Sequence, residues 1–148
     1  MKRADLIPGK IVPIDLLSLK VAGWRLLGKT IAFTDGIFDV LHAGHISLLS
    51  RAAAETDLLI VGLNADVSVK KLKGENLPVN NQDARALLLV SLVMVDAVVI
   101  FEEETPLELI KLLMPDILVK AGDFKPGEIP GAKEVMAAGG RVVILPKT

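Results

Sequence analysis

The sequence predicts an α/β protein: a doubly wound, five-stranded parallel sheet with an N-terminal helix, folded as one domain over residues 1–148. Three observations carry this. Five short apolar runs alternate with helical ones along the chain. The apolar runs are continuous, as in Leu58-Leu59-Ile60-Val61, which fits strands covered on both faces. Strands that alternate with helices wind into parallel sheets through right-handed crossovers.

The elements follow in order. Residues Pro13 to Leu27 place Ile14, Leu17, Val21, Trp24 and Leu27 at helical spacing, with Pro13 suited to the start and Gly28 to the end. Residues 1–28 therefore form an N-terminal helical extension. The strands are predicted at Thr30–Thr34, Asp57–Leu63, Ala97–Phe101, Asp116–Val119 and Arg141–Leu145. Helices are predicted between them at Gly44–Glu55, Asn64–Lys71, Asn80–Val93, Pro106–Met114 and Pro130–Ala138. Thr105 is the expected cap of the helix that Pro106 opens, after a solvated Glu102-Glu103-Glu104 run. Leu72–Asn80 and Gly122–Gly131 read as mobile loops.

Composition narrows the function. With 51% hydrophobic and 3% aromatic residues, the core is aliphatic. A net charge of −1 excludes a general nucleic-acid surface. The absence of cysteine excludes disulfides and thiolate metal sites. Met1-Lys2-Arg3 is basic but opens no apolar core, so no secretory signal is read. The apolar run Ala86–Val95 is about half of a membrane span. A cytoplasmic protein without membrane contact is the expectation.

The chemistry concentrates in Thr34-Asp35-Gly36-Ile37-Phe38-Asp39-Val40-Leu41-His42-Ala43-Gly44-His45, which holds both histidines of the chain. It lies between a strand and a helix, at the sheet edge where ligands of doubly wound folds bind. A phosphate at the helix start would meet unpaired N–H groups and a favourable dipole. Gly36 and Gly44 permit close approach. His42 and His45 can share a helix face and donate to phosphate oxygens, where charge grows during transfer. Two other readings stay open: structural histidines, or a metal held by His42, His45 and Asp39.

The pattern Gly36-x-Phe38-Asp39-x-Leu41-His42-x-Gly44-His45 resembles the signature of the cytidylyltransferase-like nucleotidyltransferase superfamily. Val61-Gly62-Leu63-Asn64-Ala65-Asp66, Val69 to Gly74, Arg85, Val95 to Val99, Phe101 to Pro106 and Pro115 to Phe124 extend the likeness. The segments Glu102-Glu103-Glu104-Thr105-Pro106 and Leu118-Val119-Lys120-Ala121-Gly122-Asp123 are similar to the heptose 1-phosphate adenylyltransferase branch, over about Pro13 to Leu145.

The resemblance implies a Rossmann-like nucleotidyltransferase fold, a homodimer, and transfer of AMP from ATP to a sugar 1-phosphate, with Mg²⁺ on the ATP. It implies that His42, His45 and Lys73 are catalytic. Thr34, Asp35, Gly36, Ile37, Phe38, Gly44, Lys71 and Arg85 would surround the nucleotide. Asp39, Lys120 and Asp123 would meet the acceptor. Lys71 and Lys73 are expected on the mobile loop, and Arg85 as a fork onto phosphate. The alternatives are a glycerol-3-phosphate cytidylyltransferase and a catalytically impaired nucleotide-binding or assembly protein. The chain departs from the family at Asp35, Ile37 and Ala121, where asparagine, cysteine and glycine are usual. Asp35 sets a carboxylate beside the phosphate, and Ala121 is expected to restrict the following loop. The family's Gly-x-Ser-Thr-Thr segment and closing helix do not follow Leu145 before Pro146-Lys147-Thr148, which implies an intact fold with reduced nucleotide affinity.

Overall fold

Strands β1 (Ile31–Gly36), β2 (Leu58–Asn64), β3 (Ala97–Phe101), β4 (Ile117–Ala121) and β5 (Arg141–Leu145) pair in parallel in the order β3-β2-β1-β4-β5. This computed structural model describes residues 3–146. The expectations that rest on Met1, Lys2, Lys147 and Thr148 lie outside the described residues. Helices α1 (Ile14–Leu26), α2 (Ala43–Ala54), α3 (Asp66–Lys73), α4 (Gln82–Val90), α5 (Leu107–Leu113) and α6 (Ala132–Ala137) complete the alternation. None of them is long and apolar enough to cross a membrane.

The sheet divides the core into two halves. Leu17 and Val21 of α1, Ile110 and Leu113 of α5 and Val135 of α6 pack with Ile31, Phe33 and Leu118. Leu49 and Ala52 of α2 and Leu89 and Val90 of α4 pack on the other face with Ala32, Val61 and Val119. Both faces are covered, so the strands had to be apolar throughout. Gly62 gives room for one of these contacts: a Cβ there would lie 2.7 Å from Cζ of Phe33.

Register is fixed at the amino ends by three aspartates, each directly preceding a strand. The Oδ2 atoms of Asp57 and Asp116 accept the backbone N–H groups of Thr30 and Ile31, both at 2.8 Å. Oδ2 of Asp96 accepts the N–H of Leu59, also at 2.8 Å. Burial raises the Asp96 pKa, while the Leu59 N–H and the nearby Lys10 oppose that shift. The strand order reverses between β1 and β4, which opens a crevice above their carboxyl ends.

Several boundaries differ from the sequence reading. A 3₁₀ segment, Ala4–Lys10, precedes α1, and the Val12 N–H donates to the Val98 carbonyl at 2.9 Å, covering the outer edge of β3. Helix α4 ends at Val90 rather than Val93, because the chain must turn to set Asp96 beneath β2. Pro106 is itself the N-cap of α5, and the Thr105 side chain makes no cap bond. A 3₁₀ turn, Pro126–Glu128, orders part of the expected loop. Ala121 ends β4 without strain, since Gly122 takes the turn at φ 123°.

Asp96→Ala leaves the Leu59 N–H without its acceptor and should lower stability by about 1–2 kcal/mol in urea unfolding. Asp96→Asn keeps an acceptor and removes a desolvated charge, so it should lose clearly less.

Candidate active site

The loop from β1 to α2 is shaped by one tight contact. A Cβ on Gly36 would lie 2.9 Å from Cε2 of Phe38, so the Phe38 ring lies against the bare glycine. Phe38 has φ 47°, a left-handed conformation that a bulky side chain rarely adopts and that costs on the order of 1–3 kcal/mol. Its buried ring stands 5.3 Å from the His45 ring, centroid to centroid, and so bounds where that imidazole can lie.

His42 is the N-cap of α2. Its Nδ1 accepts the Gly44 N–H at 3.0 Å, and its own N–H donates to His45 Nδ1 at 3.2 Å. The two imidazoles form a capping box, a part more often played by Ser or Thr with Glu. The rings stack with centroids 4.0 Å apart and planes 29° apart. Because each Nδ1 accepts a backbone proton, hydrogen bonding assigns the neutral rings' proton to Nε2. Neither Nε2 has a protein partner among the described residues, so two N–H donors are presented side by side. The Gly44 N–H, expected to be free for phosphate, is used by the cap instead. Partial burial lowers the His45 pKa, and the neighbouring His42 lowers it further.

Arg85 is not the phosphate fork that the sequence suggested. It is fully buried, and its guanidinium is engaged by protein oxygens. Nε donates to the Asn80 carbonyl at 3.0 Å. One terminal nitrogen donates to the carbonyls of Ile37 at 2.8 Å and Asn64 at 2.7 Å, the other to Oδ1 of Asp66 at 2.7 Å. One side chain thus joins the β1–α2 loop, the end of β2, the start of α3 and the segment before α4. Ile37 contributes its carbonyl to this clamp rather than to a ligand.

Asp39 likewise turns inward. Its carboxylate accepts the N–H groups of Val79 and Asn80, both at 2.8 Å, and its carbonyl accepts from the Asn80 side chain at 2.7 Å. It closes the two loops on each other and is not presented to an acceptor. The set of His42, His45 and Asp39 is therefore not assembled as metal ligands, and no other such cluster occurs among the described residues. Thr34 is buried in β1, with its hydroxyl unpartnered among the described residues.

Asp35 and Lys120, on adjacent strands, stand 2.9 Å apart as an ion pair, so the Asp35 charge is offset within the protein. Lys71 and Lys73 are exposed on the last turn of α3, not on the loop beyond it, and neither has an ion-pair partner among the described residues. Asp123 is exposed past Gly122. The candidate site thus comprises Gly36, Phe38, His42, Gly44 and His45 of the β1–α2 junction, with the Asp35–Lys120 pair toward the carboxyl ends of β1 and β4. A hollow of about 310 Å³ lies elsewhere, between Ile14, Phe101 and Leu112. Sequence reasoning missed the capping role of the histidines and the clamp around Arg85. It also missed the aspartates before three strands, although an Asp followed by an apolar run recurs visibly at 57, 96 and 116.

A family model described as cytidylyltransferase-like matches residues 33–140. A Bifunctional protein HldE of Mesorhizobium japonicum is 54% identical over 125 residues, covering 84% of this chain and 25% of the relative. The Bifunctional protein HldE of Shigella sonnei is 51% identical over 143 residues, covering 97% of this chain and 30% of the relative. The chain thus spans between a quarter and a third of the length of these relatives. Among solved structures, a lipopolysaccharide core biosynthesis protein from Thermoplasma volcanium superposes with TM-score 0.66 at 25% identity, over 82% of this chain and 98% of that one. A pantoate-beta-alanine ligase from Francisella tularensis has TM-score 0.63 at 16% identity, over 92% and 67% of the two chains, and shares the fold.

Arg85→Lys cannot reach all these acceptors and should lower stability by about 3 kcal/mol in denaturant unfolding. His45 should titrate below its ordinary value of 6.5 when followed by proton NMR. The unfolded chain takes up this proton near 6.5 and the folded chain resists it. That part of the stability is complete above 6.5 and is lost as pH falls below it. His42→Asn, which keeps a capping side chain, should move the His45 titration part of the way back up.

Proposed function

The chain belongs to the cytidylyltransferase-like family, and from that premise we propose that it transfers AMP from ATP to a sugar 1-phosphate, heptose 1-phosphate by the likeness of its motifs, releasing pyrophosphate. The observation that carries this reading is the stacked pair of imidazoles at the start of α2, each with its Nε2–H unpartnered among the described residues. The likeness to the Thermoplasma lipopolysaccharide core biosynthesis protein favours a sugar acceptor.

An oxygen of the acceptor phosphate attacks the α-phosphorus, and the bond from that phosphorus to the bridging oxygen of the β-phosphate breaks. The electron pair leaves with pyrophosphate. The acceptor oxygen is already anionic, so no general base is required. Catalysis then rests on positioning and on stabilising charge as it moves. The two Nε2–H groups donate to oxygens of the α-phosphate, where charge builds. They need no reorganisation, because the cap bonds already hold both rings. Lys71 and Lys73 meet the β- and γ-phosphates as compact cations. Mg²⁺ bound with ATP would supply neutralising charge to the triphosphate.

Pyrophosphate release from ATP and heptose 1-phosphate is the direct test. His42→Ala and His45→Ala should each lower kcat by about 10²–10³, with smaller changes in KM. No release with any sugar or alcohol phosphate would overturn the enzymatic reading. Faster turnover with CTP than with ATP would reassign the nucleotide.

A further inference from the structure

Asp35 and Lys120 lie toward the carboxyl ends of β1 and β4, the strands that meet where the sheet order reverses. Nζ of Lys120 is 2.9 Å from Oδ1 of Asp35, with the side chains 20% and 8% exposed. The approach is off the hydrogen-bonding direction, and this Oδ1, closed to solvent, has no other donor. Charge attraction therefore holds the pair. On its other side, Nζ lies 5.8 Å from the centre of the Phe124 ring. Lys120 is fixed from two directions, and its charge is already matched.

The placement identifies what the pair would meet. By strand alternation, Asp35 shares a face with Phe33, and Lys120 shares one with Leu118. Both belong to the half of the core covered by α1, α5 and α6, whereas α2 packs on the other half. The pair thus borders the crevice from the side opposite the imidazoles. In a nucleotidyl transfer two phosphates converge, one on the donor and one on the acceptor. With the donor phosphate at α2, the opposite side is left to the acceptor's.

Resting on the nucleotidyltransferase reading, we infer that Asp35 is a positioning residue that sets affinity for the acceptor phosphate. It holds Lys120 in place and cancels much of its charge, so an anion arriving at Lys120 meets a nearly neutral pair. The acceptor is bound more weakly, and the anionic product leaves more readily, than a lone lysine would allow.

Steady-state kinetics with ATP and heptose 1-phosphate test this through three variants: Asp35→Asn, Lys120→Met and the double change. Asp35→Asn should lower KM for heptose 1-phosphate about tenfold, and the gain should shrink as salt is added. Lys120→Met should raise it about tenfold, and the double variant should return within about threefold of wild type. KM for ATP should stay within about threefold throughout. A purely structural pair would give the opposite sign for Asp35→Asn, raising KM as Lys120→Met does, and that result overturns the inference. Equal shifts in the KM for ATP overturn it too, by assigning the pair to the donor. Because Asp35→Asn is isosteric, its sign decides the matter even if Lys120→Met fails to fold. Wild type that neither binds nor converts either substrate defeats the reading of the site itself, a result distinct from both.

Discussion

Arg85 carries a full positive charge where no water reaches it, and the crevice is organised around meeting that demand. A buried guanidinium is tolerable only when its donors find acceptors. Here they are the carbonyls of Ile37, Asn64 and Asn80 and the carboxylate of Asp66, drawn from three separate stretches of chain. The buried Asn64 in turn gives its carbonyl to the arginine, so the dependence runs both ways. The loop that bears the histidines is therefore held from beneath. Asp39 adds a second tie on the same side, joining that loop to Val79 and Asn80.

From that anchored base the geometry passes upward through short steps. The missing Cβ of Gly36 admits the Phe38 ring, and Phe38 accepts a left-handed backbone to place it there. The ring borders His45, whose Nδ1 takes the His42 N–H, and His42 in turn caps Gly44. Each step uses one nitrogen or one face of a ring and leaves Nε2 unused. Two donors are fixed before any ligand arrives. Such preorganisation is worth more than the same groups on mobile side chains, which must be ordered during the reaction.

The strands and the site differ in how they can be read from the chain. The five strands follow from local runs of Val, Ile and Leu, and β3 and β5 begin and end where those runs do. The histidine motif was legible too, since its residues are close neighbours in sequence. Polar pairing across the fold was not. Arg85 meets Ile37 48 residues away, and the aspartates before β3 and β4 reach backbone 37 and 85 residues away. Nothing in a local pattern distinguishes an arginine that will be buried from one that faces water. Arg85, Asp39 and Asp35 all looked available for ligands, and each is engaged by the protein.

That distinction also explains how the charges are arranged in the sheet. At the amino ends, Asp57, Asp96 and Asp116 accept strand N–H groups, so their charges are used to set register. At the carboxyl ends, Lys120 has a counter-ion, Arg85 is walled in, and the imidazoles have their Nδ1 atoms occupied. What remains for an anion in the crevice is two neutral donors and one matched cation. Lys71 and Lys73 have no ion-pair partner among the described residues, and both stand with Lys70 on the last turn of α3. On the proposed function, these unmatched charges would meet the leaving pyrophosphate. The centre holds its ligands by geometry more than by charge. A site that must bind anions and then release an anionic product is served by that division, because net attraction at the centre would hold product and substrate alike.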